Sequence, residues 1–138
     1  MKLQAKSSFT ASDVLVLTAS EDDKNLFQQS PISKSEKEKI KTIVANKEFQ
    51  GKKDDLLAVY ADTSSSYRLI LLCGLGKKKD VDYVRFRHRA GDVIRKIGFK
   101  ANHSVVWVLS KQDNLNPSLL GQSIGEGLIM GSYVFNEY

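Results

Sequence analysis

RLILLCGLGKKKDVDYVRFRHRAGDVIRKIG, residues 68–98, decides the fold. Arg68 to Leu75 is the most hydrophobic run in the chain. It shows no polar alternation, which is the pattern of a central strand covered on both faces. Gly76-Lys77-Lys78-Lys79 interrupts the run, and Asp80 is placed to cap the next helix. Tyr83, Phe86, Ala90, Val93, Ile94 and Ile97 then recur with helical period, and Gly98 is placed to end the helix. A buried strand turning directly into an amphipathic helix is the repeating unit of an α/β domain.

Toward the N-terminus, Val14 to Ala19 is a second continuous β-rich run, and Lys2 to Ser7 reads as a short strand before it. Glu21 to Ser30 is a polar loop closed by Pro31. Ser33 and Glu36 have capping-box spacing, repeated one turn on by Ser35 and Glu38, so a helix is expected to about Asn46. Ile40, Ile43 and Val44 mark its inner face, while Lys37, Lys39 and Lys41 alternating with Glu36 and Glu38 read as a solvated face. Phe49 to Asp55 reads as a turn, Leu56 to Ala61 as a strand, and Asp62 to Ser66 as a hairpin-like turn into the quoted stretch.

Toward the C-terminus, Ser104 to Leu109 reads as another buried strand and Ser110 to Asn116 as a polar loop. A last helix starts with Asn116 as N-cap and Pro117 in the first helical position. Leu120, Ile124 and Leu128 form its buried face. Gly121, Gly125 and Gly131 sit inside that helix although each costs roughly 1 kcal/mol relative to Ala, which predicts a second backbone packed close by. The chain finishes on Tyr133, Phe135 and Tyr138, where a loose polar tail is usual, so further chain is expected beyond them. Strands and helices alternate without internal repeat or linker, giving one α/β domain over residues 1–138 with a mixed, mostly buried sheet.

A chain of 138 residues that is 41% hydrophobic and 27% charged has the composition of an ordinary globular domain. It contains no apolar run long enough to span a membrane. MKLQAKSSFTASD lacks the apolar core of a signal peptide, so the cytoplasm is the expected location. Cys73 is the single cysteine and cannot form an internal disulfide, in keeping with a reducing compartment. The net charge of +5 permits nucleic-acid contact without establishing it.

Few residues point to chemistry. Gly74-Leu75-Gly76-Lys77 lies where phosphate-binding loops occur, after a strand and before a helix. It lacks the third glycine of GxGxxG and the spacing of GxxxxGK[ST], so a strand end followed by a basic turn is the simpler account. His88 and His103 have no neighbours at metal-ligand spacing beyond His88 with Asp92. Cys73 reads as a small core residue, and no serine lies in a GxSxG elbow. Arg85, His88, Arg89 and Lys96 share a helical face near Lys77, Lys78 and Lys79. The candidate nucleic-acid patch is therefore Lys77, Lys78, Lys79, Arg85 and Arg89, set against a solvated face that Asp82 and Asp92 partly neutralise. No aromatic on that face could stack bases. No residue of the chain is assigned a catalytic, cofactor-binding or metal-binding role.

The chain resembles the N-terminal domain of the leucyl (cytosol) aminopeptidases. Leu72-Cys73-Gly74-Leu75-Gly76-Lys77-Lys78 is similar to that family's VGLGK segment, and the Arg- and Ala-rich helix closed by Gly98-Phe99-Lys100 to the segment after it. Phe49-Gln50-Gly51-Lys52 is similar to an F.GK element. Gly125 to Tyr138, GEGLIMGSYVFNEY, resembles the stretch leading into the catalytic domain and is the most specific match. The resemblance implies a macro-domain-like, three-layer α/β/α fold. It also implies a metalloexopeptidase parent whose two divalent metals (Zn or Mn), catalytic lysine and arginine, and NTDAEGR signature all lie in a C-terminal catalytic domain absent from this chain. Family members are hexamers with the N-terminal domain at the periphery, which implies a role in assembly and access. Tyr133, Phe135 and Tyr138 would form the inter-domain connector. Some bacterial members also bind DNA. The alternative is a free-standing macro-like module binding nucleic acid or a nucleotide through the basic helix face, although the glycine-rich and Asn-rich elements of ADP-ribose-binding macro domains are missing.

Overall fold

A computed structural model describes residues 14–22, 32–62, 67–97, 105–108 and 115–135, with residues 117 and 129–135 described as backbone. Strand β1 (Val14–Ala19) precedes helix α1 (Lys34–Ala45), and strands β2 (Leu56–Tyr60) and β3 (Leu69–Gly74) come next. A 3-10 turn (Lys78–Asp80) leads into α2 (Tyr83–Ile97), then β4 (Val105–Trp107) and α3 (Pro117–Phe135). The four strands lie in the order β2-β3-β1-β4. β1 is parallel to β3 and β4, and β2 pairs antiparallel with β3, so the sheet is mixed, as expected.

Strand periodicity sorts the core into layers. Leu15, Leu17 and Ala19 of β1 and Ile70 and Leu72 of β3 meet Ile40 of α1 and Phe49 on one face. Val14, Val16, Leu71 and Cys73 point the other way, onto Val93 of α2. Phe86, Ala90 and Ile94 of α2 then pack with Leu120, Ile124 and Leu128 of α3. The result is a three-layer α/β/α sandwich whose central strands, β1 and β3, are covered on both sides, which is why their sequences are continuous rather than alternating. The Ser104–Leu109 run gives a shorter strand, Val105–Trp107, which is half-buried at the edge of the described sheet.

The helix ends obey local chemistry. Asn116 caps α3, its side-chain oxygen accepting from the backbone N–H of Ser118 at 2.9 Å. α2 is capped by Asp82 instead of Asp80: the Asp82 carboxylate accepts from Arg85 N–H at 2.8 Å, while Asp80 ends the 3-10 turn. Ser33 and Glu36 form the expected capping box on α1. At the other end of α1, Lys47 N–H donates to Val44 O (3.0 Å) and Glu48 N–H to Ile43 O (3.1 Å), a Schellman motif. Its left-handed position is filled by Lys47 at φ 60° instead of the usual glycine.

Glu36 does not lie on a solvated face. It is fully buried, and its carboxylate accepts from Ser33 N–H (2.9 Å), Asp62 N–H (2.9 Å) and the Tyr67 hydroxyl (3.0 Å). Such donors offset the cost of taking a carboxylate out of water. They also pin the start of α1 to the two sides of the turn that joins β2 to β3.

Gly127 is the glycine where α2 and α3 approach: a Cβ there would collide with the Arg87 carbonyl and meet Ala90 at 2.9 Å. Gly121, expected to serve that purpose, has nothing within 4 Å. Lys2–Ser7, residues 23–31, residues 63–66 of the expected turn, Gly98, His103 and residues 109–114 lie outside the described residues.

Candidate functional site

β1 and β3 are adjacent and parallel, but their outgoing connections part: β1 leads to α1 on one face and β3 to α2 on the other. In open α/β sheets, ligands settle outside the carboxyl ends of strands at such a switch point. The Gly74-Leu75-Gly76-Lys77 segment sits there, at the end of β3.

The crevice is filled by the chain itself. Gly74 N–H donates to Asp55 O (2.8 Å), Leu75 N–H to Ala19 O (2.9 Å) and Gly76 N–H to Gly51 O (2.9 Å). Gly76 O in turn accepts from Glu21 N–H at 2.9 Å. Lys78 N–H donates to the Asp22 carboxylate at 2.8 Å. A phosphate cradle needs several free, convergent N–H groups, and these are committed to oxygens of the protein. The glycines serve backbone contact rather than ligand approach. A Cβ at Gly74 would collide with the Lys52 carbonyl, and Gly51, at φ 77°, presses on Ser20 O, which would lie 2.6 Å from a Cβ. The Asp55 carboxylate shapes the intruding loop by accepting from Gln50 N–H (2.9 Å) and Lys52 N–H (3.2 Å).

Two arginines of α2 lock this knot. Arg89 is 4% exposed and donates from Nε to Gly74 O (2.8 Å), from Nη2 to Asp55 O (2.6 Å) and from Nη1 to the Asp92 carboxylate (2.7 Å). Arg85 donates from Nη1 to Leu75 O at 2.6 Å. Neither therefore sits on an open basic face as the helical periodicity suggested. Arg89 is withdrawn from solvent and Arg85 is half-buried. His88 and Lys96 are exposed.

Lys77, Lys78 and Lys79 are exposed, and the fold brings Lys52 and Lys53 beside them: Lys53 would lie 3.2 Å from a Cβ on Gly76. Sequence reasoning missed these two lysines. The only signal was the lysine pair in the Phe49–Asp55 turn, and nothing in its spacing shows which loop it will touch. Asp54 and Asp80 interrupt the cluster.

Cys73 is buried, and burial pushes its thiol up to about 11, with the Arg89 guanidinium opposing the shift, so it is no nucleophile at neutral pH. Among the described residues no three His, Cys, Asp or Glu side chains could together hold a metal ion. No described helix is long and apolar enough to cross a membrane. Of the connector residues, Tyr133 and Phe135 are described only as α3 backbone, and Tyr138 lies outside the described residues.

A family model for the N-terminal domain of the cytosol aminopeptidases matches residues 14–138. The chain belongs to this family. Among its relatives, a probable cytosol aminopeptidase of Clostridium perfringens is 24% identical over 136 residues, covering 99% of this chain and 27% of the relative. One of Alkaliphilus oremlandii is 27% identical over 100 residues, covering 72% of this chain and 20% of the relative. A mutant tomato leucine aminopeptidase superposes with a TM-score of 0.63 at 17% identity, over 99% of this chain and 28% of that one. A bottromycin maturation enzyme in complex with manganese gives 0.61 at 16% identity, over 93% and 24%. These superpositions bear out the three-layer fold. The chain spans only a fifth to just over a quarter of the length of these proteins.

Proposed function

We propose that this chain is the non-catalytic N-terminal module of a cytoplasmic leucyl aminopeptidase, a metal-dependent enzyme that releases N-terminal residues from peptides. The observation that carries the proposal is the family match over residues 14–138 of a chain only about a quarter as long as its relative from Clostridium perfringens. The module would serve assembly and access in a homo-hexamer, with its own C-terminal catalytic domain as partner and α3 as the connector, Tyr133, Phe135 and Tyr138 near the junction. Among the described residues no three His, Cys, Asp or Glu side chains converge as a two-metal centre requires. The family resemblance implies that the two divalent ions (Zn or Mn) belong to the C-terminal domain. The test is to read the gene past Tyr138, express the whole product, and measure hydrolysis of leucine p-nitroanilide with Mn²⁺, Zn²⁺ or EDTA. Metal-dependent hydrolysis by the whole product and none by residues 1–138 is expected. A stop codon after Tyr138, or turnover by the 138-residue chain, overturns the proposal.

One observation favours a second reading, contact with a polyanion such as nucleic acid. Lys52, Lys53, Lys77, Lys78 and Lys79 are exposed around the loop knot, and none forms an ion pair among the described residues. Reversing Lys53, Lys77 and Lys78 to Glu should abolish any salt-sensitive DNA binding, and unchanged binding rejects the site. Arg85 and Arg89 are unsuitable for that test, because replacing them damages the knot.

A further inference from the structure

No further inference is drawn: the strongest candidate, the bare row of Ala58 and Tyr60 on β2 at the edge of the described sheet, where Tyr60 is 79% exposed, is an apolar face, and nothing in the structure shows what covers it.

Discussion

Replacing Arg89 with methionine keeps the aliphatic stem and removes the guanidinium. Three hydrogen bonds disappear: to Gly74 O, to Asp55 O and to Asp92. Their costs differ. Asp92 keeps Arg95 at 2.6 Å and is part-exposed, so losing its partner there costs little. Asp55 O keeps the Gly74 N–H at 2.8 Å. Gly74 O loses a charged donor in a buried place, at about 1–3 kcal/mol. The void left by the guanidinium adds about 1 kcal/mol, and no longer burying a cation returns part of the sum. The gross loss is about 2–4 kcal/mol and the net, with that return subtracted, about 1–3 kcal/mol, still a sizeable share of the ~5–15 kcal/mol that typically holds a domain together. Urea unfolding monitored by circular dichroism measures it, with Lys79→Met as the surface control, which should stay within about 0.5 kcal/mol of the parent. Arg89→Lys should rescue little, because an ammonium cannot span the same acceptors. If Arg89→Met behaves like Lys79→Met, Arg89 lies on a solvated face after all and the account of the knot is wrong.

The two helical glycines should respond oppositely. Gly127→Ala should destabilise by at least about 2 kcal/mol, because its Cβ collides with the Arg87 carbonyl, whereas Gly121→Ala should stabilise by about 0.5–1 kcal/mol in the same unfolding assay. Lys47→Gly should raise stability by about 1 kcal/mol by removing a side chain from the left-handed C′ position of α1, and a loss there would contradict the Schellman geometry. The hydrogen bond from the Ser33 hydroxyl, then that from Lys39, lowers the Asp62 carboxyl below its ordinary 3.8, so its contribution is present above that value and disappears as pH falls further. The melting temperatures of the parent and Asp62→Asn should therefore differ at pH 7 and converge below pH 3.8; a constant gap would show that the carboxylate plays no such part.

What was legible in the sequence was what a few neighbouring residues encode. Continuous apolar runs marked β1 and β3 as doubly covered strands, and their alternation with amphipathic helices implied the layers. Ser33 with Glu36 and Asn116 with Pro117 marked helix starts because a cap is settled within one turn. The failures share one cause, partners distant in sequence. Glu36 sits among lysines and looks solvated, yet Asp62 and Tyr67, 26 and 31 residues on, draw it inside. Arg89 falls on a helix turn that periodicity assigns to solvent, but Gly74 O and Asp55 O, 15 and 34 residues earlier, accept its guanidinium N–H groups there. Gly127 and Gly121 look alike in sequence. Only the crossing of α2 distinguishes the one whose hydrogen atom is required.

The same distance effect explains why a loop resembling a phosphate cradle in sequence is not built as one. A strand end rich in glycine has two ways to satisfy its backbone N–H groups: bind an anion, or accept another stretch of its own chain. Here the Phe49–Asp55 loop reaches the switch point first and supplies Gly51 O and Asp55 O, while Asp22 supplies a carboxylate at Lys78. A phosphate entering this crevice would have to break several formed bonds and displace a loop held by a buried arginine, where each orphaned group costs about 1–3 kcal/mol. Geometry that binds nucleotides elsewhere has become an internal tie, coupling α2, and through it α3, to the ends of β1 and β3. If α3 is the connector, as proposed, such a tie would fix the helix layer that meets the C-terminal domain.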